Sequence, residues 1–494
     1  MAWPRGSYQL KVQDPNEPST TDSRAATTER PAHRAMNGST RPFTVEGRRV
    51  VVVGAARSGV AAAELLVRRG ASVVLTEARP TLRDAERLRA AGIELELGGH
   101  TAATIERADL IVTSPGVVTD QPLFEPARRR GVDVIGEVEL ASRWVQGRII
   151  AITGTKGKST TTTVIGRMVQ ADGRHALVGG NIGVPLSAQV DASTPETIHV
   201  VEVSSFQLET TTTFRPWIAL WLNFADDHLD RHPTVDDYAA AKARIFANQH
   251  ADDVAVVNAD DPVVMERSEG IEALRVAFAP SGRIEQGYVV DGAWIVRRTA
   301  TEVSRLVPVS AVELTGAHML GNVVAAAAVA DVAGVSPRAM TEALRGFRGL
   351  EHVMEPAGAL RGVSFVNDSK ATNVAAARRS IESFDAGVVA LIGGRFKGGN
   401  LRELREPLAA RGRGVVAIGE AAPSVQDALQ GVVPIVTASS MREAVQRGFE
   451  MAAPDGVVLL APACASFDWF SDYAERGRAF KEEVEALRKE PHER

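Results

Sequence analysis

Residues 149–163 read Ile-Ile-Ala-Ile-Thr-Gly-Thr-Lys-Gly-Lys-Ser-Thr-Thr-Thr-Thr, an apolar run breaking into glycines, lysines and hydroxyls. Ile149–Ile152 has the continuous apolar character of a strand buried on both faces. A helical stretch follows Lys158, and Gly-Lys-Ser-Thr between strand and helix is the context a phosphate-binding loop requires. In such a loop the N–H groups of Gly154, Thr155, Lys156, Gly157, Lys158, Ser159 and Thr160 wrap the phosphates of a nucleotide. Lys158 neutralises the β/γ charge and the Ser159 hydroxyl ligates Mg2+. The strict motif has glycine at position 152, where Ile152 stands, so this is the shorter T-G-T-x-G-K-S-T form. A glycine-rich surface turn is the bland alternative, and the Lys-Ser-Thr sequence in this place argues against it.

Reading outward, the same strand–turn–helix alternation extends both ways. Upstream, apolar runs at 50–53, 72–75, 110–113 and 132–135 are separated by helical stretches at 60–69 and 81–91. Downstream, runs at 199–203, 219–223 and 254–258 belong to the phosphate-loop unit. The stretch 281–314 reads as a small antiparallel insertion, and helices at 318–333 and 337–346 close the unit. A third set of runs lies at 363–366, 387–392, 415–418, 434–436 and 457–460. This predicts an α/β protein of three mostly parallel sheets with helices on their faces. The expected order is a Rossmann-like domain over 44–137, a P-loop ATPase-like domain over 138–348 and a second Rossmann-like domain over 349–494. Residues 1–43, poor in large aliphatics and rich in Ser, Thr, Pro and Arg, read as a disordered tail, with Met36 an alternative start.

Composition agrees. A chain of 494 residues predicts about three domains, and 45% hydrophobic with 24% charged residues is ordinary for a globular protein. A net charge of −5 gives no basic footprint for nucleic acid. Cys464, the single cysteine, excludes an internal disulfide framework. No apolar run approaches the roughly 20 residues of a membrane span.

Other motifs fall at strand ends, where parallel sheets place ligands. After the first run, Gly54-Ala-Ala-Arg57-Ser58-Gly59 is near a dinucleotide fingerprint, with Ala56 replacing the middle glycine. Glu77, 23 positions after Gly54, would reach a ribose hydroxyl, and Ser114-Pro115-Gly116 ends another run on the same edge. In the second unit Glu202, the run Asn223-Phe-Ala-Asp226-Asp227-His228-Leu-Asp230 and Lys242 offer groups around a hard cation. Taken alone, His228 is an ordinary surface histidine and Lys242 a solvated helix lysine. In the third unit three polar segments suggest one crevice. They hold Asp368, Ser369, Lys370, Thr372 and Asn373; then Gly393, Gly394 and Lys397; then Cys464, Ser466, Asp468 and Tyr473.

Six strings together resemble the bacterial Mur ligase family over about residues 48–485. They are T-G-T-K-G-K-S-T at 153, G-G-N-I-G at 179, E-V-S-S-F-Q-L-E at 202, D-D-H-L-D-R-H at 226, N-D-S-K-A-T-N at 367 and P-A-C-A-S at 462. The first four are shared by ATP-dependent ligases of the wider family, and the last two resemble its D-glutamate-adding branch. The resemblance implies an ATP-dependent ligase of peptidoglycan precursor synthesis, monomeric and cytoplasmic. Its substrates would be UDP-N-acetylmuramoyl-L-alanine and D-glutamate, joined through an acyl phosphate.

By the same resemblance Arg57, Ser58, Glu77, Gly116, Asn181 and His228 would serve the UDP substrate. Lys158 and Ser159 would hold the ATP phosphates and, with Glu202, a first Mg2+. His228 and a carbamylated Lys242 would serve a second, so that Lys158, Glu202, His228 and Lys242 form the catalytic set. Asn322 would face adenine, and Asp368 and Lys370 the nucleotide. Thr372, Lys397, Ser466 and Tyr473 would bind D-glutamate. The chain departs from the family pattern at Lys156, where Asn is usual, at Met319, where a second Asn is common, at Val353 in place of Arg, and at Tyr473 in place of Phe. The competing readings are a sibling ligase, adding another amino acid or extending folate, and a non-catalytic nucleotide-binding scaffold.

Overall fold

The computed structural model describes residues 43–225, 231–314 and 317–489. The expected tail lies outside these residues except for Phe43, whose ring sits 5.1 Å from that of Trp144, with the Arg143 guanidinium 4.5 Å above it. Three sheets follow one another along the chain, as the alternating pattern predicts. The first contains β1 (Arg49–Val53), β2 (Ser72–Glu77), β3 (Ile93–Leu97), β4 (Leu110–Thr113) and β5 (Val134–Gly136), all parallel, in the order β3-β2-β1-β4-β5. The strand order reverses between β1 and β4, so their carboxyl ends open the crevice where such sheets bind ligands.

The central sheet contains β6 (Arg148–Thr153), β7 (Ala176–Gly180), β8 (Ile198–Glu202), β9 (Ile218–Trp221), β10 (Val254–Asn258), β11 (Leu274–Ala279), β12 (Gly287–Asp291), β13 (Trp294–Arg298) and β14 (Val303–Pro308). Their order is β14-β13-β12-β11-β10-β9-β6-β8-β7. β12 pairs parallel with β11, and β13 and β14 add antiparallel. The stretch expected as an insertion therefore lengthens this sheet rather than forming a separate one.

The third sheet contains β15 (Glu355–Leu360), β16 (Val363–Asn367), β17 (Val388–Gly393), β18 (Gly412–Ile418), β19 (Ile435–Ala438) and β20 (Val457–Ala463), ordered β15-β16-β20-β17-β18-β19. Only β15 runs antiparallel. β20 enters between β16 and β17, which brings the ends of those three strands side by side.

The chain divides into two compact units, Met1–Phe347 and Arg348–Arg494. The first two sheets form one unit because they share a core. Leu65 and Val138 from the first sheet's side are buried in one cluster with Leu186, Val201 and Trp221 of the central one. A carboxylate sits at that junction. Glu139, on the helix Glu137–Ser142, accepts the N–H groups of Thr212 (2.9 Å), Thr213 (3.0 Å) and Phe214 (2.9 Å), and the Arg143 Nε–H at 3.0 Å. Burial raises its pKa, but the hydrogen bonds from Thr213, Thr212 and Arg143 outweigh that and hold it below the ordinary value.

Glu139→Gln keeps the volume but puts an N–H donor among N–H donors. It should cost about 2–4 kcal/mol and lower the thermal midpoint at pH 7. A carboxyl with a depressed folded pKa stabilises above its unfolded pKa and loses that contribution as pH falls through the folded value. The gap between wild type and variant should therefore shrink in melts run at progressively lower pH. Equal midpoints at pH 7 would remove Glu139 as the anchor of the junction.

Candidate active site

The loop after β6 takes its shape from glycines. Gly154 has φ +152° and Gly157 φ +79°, and a Cβ on Gly157 would lie 2.3 Å from Asn322 Oδ1. One side chain holds the loop between them. Asn223 Oδ1 accepts the N–H groups of Thr155 (3.1 Å) and Lys156 (2.9 Å), and its Nδ2 donates to the Lys156 carbonyl at 3.0 Å. The Thr155 hydroxyl donates to the Ala225 carbonyl (3.2 Å) and lies 3.3 Å from the Tyr238 hydroxyl. The helix Lys158–Ala171 leaves Gly157 without a side-chain cap, so its first N–H groups and its positive dipole end suit an external anion.

Two lysines converge on this loop. Lys158 Nζ donates to the carbonyls of Gly154 (2.9 Å) and Thr155 (3.1 Å). Lys242 Nζ donates to the same Gly154 carbonyl at 2.8 Å and lies 4.4 Å from the Tyr238 ring centroid. Lys242 is buried, unlike an ordinary helix lysine, because the helix Val235–Ala243 turns this face inward.

Glu202 joins the loop to a second one. Buried at the end of β8, its Oε2 accepts the Ser159 hydroxyl at 2.7 Å and its Oε1 the Asn181 Nδ2 at 2.8 Å. The Ser159 hydroxyl and Glu202 carboxylate are hard oxygen donors side by side. They fit Mg2+ held by one carboxylate together with ligand phosphates and water. Among the described residues no cluster of three or more His, Cys, Asp or Glu stands ready as an all-protein metal cage. His228, with Asp226, Asp227 and Asp230, lies outside the described residues.

At the end of β1 the turn is as tight as the motif requires. A Cβ on Gly59 would lie 1.9 Å from the Gly54 carbonyl oxygen, which also accepts the Ser114 hydroxyl at 2.7 Å. Arg57 and Ser58 begin the helix Arg57–Arg68, and Gly116 is exposed beyond β4. Arg57 Nη1 donates to the Gly183 carbonyl at 3.0 Å, linking this turn to the loop that carries Asn181. Glu77 is occupied by its neighbours, accepting the Ala55 N–H at 2.8 Å and the Arg79 Nε–H at 3.1 Å. Those bonds, chiefly from the Arg79 side chain, hold its carboxyl down at about 2.

In the second unit the three polar segments do meet. Ala463 N–H donates to the Ala371 carbonyl (2.9 Å), and Arg395 and Ala465 exchange backbone hydrogen bonds at 2.8 and 3.0 Å. Asp368 is buried. Burial raises its pKa, opposed by hydrogen bonds from the Ser380 hydroxyl and the Met354 N–H. Lys370 and Thr372 follow in the same turn, half-buried. Lys397 is exposed, Ser466 is buried, and Tyr473 is 40% exposed. Cys464 is fully buried, with its thiol pushed up to about 11 by desolvation, which makes it a packing residue and no nucleophile. Asn223 and Tyr238 were invisible as loop clamps in the sequence. In the sequence Asn223 is only the first residue of an acidic run, and nothing in the spacing shows an amide bridging to residue 156.

Comparison with known proteins covers both units. Residues 48–136 match the family described as Mur ligase MurD-like, N-terminal domain, residues 152–330 the Mur ligase middle domain, and residues 351–464 the Mur ligase glutamate ligase domain. The chain is 44% identical to the UDP-N-acetylmuramoylalanine–D-glutamate ligase of Acidobacterium capsulatum, covering 90% of this chain and 97% of the relative. It is 42% identical to the enzyme of the same name from Pelotomaculum thermopropionicum, covering 90% and 98%. Among solved structures, the fold is similar to UDP-N-acetylmuramate–alanine ligase of Thermotoga maritima (TM-score 0.54, 18% identity, 89% of this chain and 100% of that one). It is also similar to a pseudomurein peptide ligase type C of Methanothermus fervidus (TM-score 0.53, 16% identity, 89% and 100%).

Asn223→Ala removes three hydrogen bonds from the phosphate loop without touching the nucleotide site's charges. At about 1 kcal/mol each, the loop should lose enough order to weaken ATP binding about tenfold or more in isothermal titration, with an unchanged far-ultraviolet spectrum. Wild-type affinity in the variant would show that the glycine geometry alone suffices.

Proposed function

The chain belongs to the Mur ligase family, and from that premise we propose that it joins D-glutamate to UDP-N-acetylmuramoyl-L-alanine while converting ATP to ADP and phosphate. The observation that carries this reading is the Glu202 carboxylate bonded at once to Ser159 of the phosphate loop and Asn181 of the neighbouring loop. On this reading it would set a triphosphate terminus beside a second substrate. The enzyme would act in peptidoglycan precursor synthesis, as a cytoplasmic monomer. Among the described residues no helix is long and apolar enough to cross a membrane.

A carboxylate is a poor acylating agent at neutral pH, so it must first be activated. In the proposed reaction the alanyl carboxylate attacks the γ-phosphorus of ATP, the bond to the β–γ bridging oxygen breaks, and ADP leaves. The D-glutamate amine then attacks the acyl phosphate, loses a proton and expels phosphate, forming the amide. Gly154–Thr160 would wrap the phosphates, with Lys158 swinging from its loop carbonyls to the β/γ oxygens as charge develops there. Mg2+, held by Ser159 and Glu202, would supply charge neutralisation at the transferred phosphoryl group. Asn322, packed on Gly157, would set the loop's outer wall beside the adenine end. Arg57, Ser58, Glu77, Gly116, Asn181 and His228 would face the UDP substrate, Glu77 by holding the Ala55 amide and Arg79 in place. Asp368 and Lys370 would complete the nucleotide site, and Thr372, Lys397, Ser466 and Tyr473 would take the D-glutamate carboxylates. The domain limits proposed are 44–137, 138–348 and 349–494.

Lys242 is proposed to work as a carbamate serving a second Mg2+ with His228. As an ammonium it shares the Gly154 carbonyl with Lys158, so two like charges crowd one oxygen. Reaction of the neutral amine with CO2 would replace one of them by a hard anionic oxygen donor, which Mg2+ prefers.

Mass spectrometry of products from UDP-N-acetylmuramoyl-L-alanine and ATP, with D-glutamate, L-lysine or diaminopimelate, tests the function. A product heavier by one glutamyl residue, with D-glutamate alone, is expected. A product only with another amino acid would move the chain to a sibling activity, and no product would favour the scaffold reading. Lys242→Ala should be nearly inactive and partly rescued by acetate, whereas Lys242→Arg, a permanent cation, should be inactive and not rescued. Full activity in Lys242→Arg would overturn the carbamate.

A further inference from the structure

Arg476 stands in the first turn of the helix Tyr473–Lys489 and is 1% exposed. No carboxylate lies within ion-pair distance of it among the described residues. Its guanidinium is held by neutral acceptors instead. Nε donates to the Ser369 hydroxyl at 3.0 Å, Nη2 to the Ser369 carbonyl at 3.0 Å, and both Nη1 and Nη2 to the Cys464 carbonyl at 3.1 Å. Burial pushes the group down to about 10, which leaves it cationic at neutral pH.

Those acceptors belong to two different loops. Ser369 lies in the turn after β16 that carries Lys370 and Thr372, and Cys464 in the segment after β20 that carries Ser466. The Ser369 hydroxyl also donates a hydrogen bond to the Tyr473 carbonyl at 2.7 Å. The third loop is fitted against the same group, since a Cβ on Gly394 would lie 3.1 Å from Arg476 Nη1 and 2.2 Å from the Ala465 carbonyl oxygen. Ala463, at φ +57°, holds a left-handed conformation that alanine disfavours, so this junction needs an outside tie to keep its shape.

We propose that Arg476 is a positioning residue for the amino-acid substrate, its guanidinium fork pinning the Ser369 and Cys464 carbonyls so that Thr372, Ser466 and Tyr473 present one preformed pocket. The proposal rests on D-glutamate binding at these strand ends. A planar fork is needed because the acceptors lie in different directions around it. A lysine ammonium would keep the charge but not the fixed geometry.

The test is steady-state kinetics of Arg476→Lys and Ser369→Ala on the full chain, with thermal melts. In Arg476→Lys the KM for D-glutamate should rise about tenfold or more, while kcat and the KM values for ATP and the UDP precursor stay within about threefold. Ser369→Ala, which removes only the hydroxyl relay between Arg476 and Tyr473, should move the same constant in the same direction by less. If Arg476→Lys shows no cooperative melt, Ser369→Ala decides. A D-glutamate KM unchanged in a folded variant overturns the proposal, as does an equal rise in all three KM values, which is what a merely structural role produces. The wild type run alongside separates the two claims. Product with D-glutamate sustains the functional reading whatever the variants do. If another amino acid is the one used, the same comparison is made with that amino acid.

Discussion

A buried carboxylate has to be satisfied by something, and at Glu202 it is satisfied by two loops at once. Parallel pairing sets Ile152 of β6 and Gly180 of β7 level with Glu202 on either side of β8. The residues that follow those two strands then arrive within reach of one side chain. Ionised and buried without partners, the acid would cost several kcal/mol. Bonded to Ser159 and Asn181, it makes the position of one loop a condition on the position of the other.

The phosphate loop itself is electrically unbalanced. Its Gly154 carbonyl receives two ammonium groups, its helix terminus is uncapped, and the carboxylate that meets Ser159 is shared with Asn181. Each element alone is a modest attraction for an anion. Together, in a setting of low dielectric, they favour a multiply charged ligand over a singly charged one.

What was legible in the sequence follows from how local the cause is. Val50–Val53 and Ile149–Ile152 announce themselves as strands because both faces are covered. Ile93–Leu97 does not, because as an edge strand it alternates Ile and Leu with Glu. Glu355–Leu360 contains a proline and a glycine and is tolerated only as an edge strand with a shifted register. The phosphate loop was readable from chain-local glycines and lysines. The burial of Lys242 was not, since it depends on which face of a nine-residue helix meets Gly154. Glu77 shows a similar limit, since its motif position says nothing of Arg79, whose guanidinium bonds the carboxylate at 3.1 Å. Arg476 lies outside every quoted string, and its importance comes from acceptors more than a hundred positions away in Ser369.

The boundary at Phe347 and Arg348 separates two packing units, with the residues assigned to nucleotide phosphates and the UDP precursor mostly on one side and those for the amino acid on the other. A change in the third sheet's loops alters one cooperative core and leaves the other intact. On the proposed assignment, lineages could explore new acceptor amines without altering the core that carries the phosphate loop.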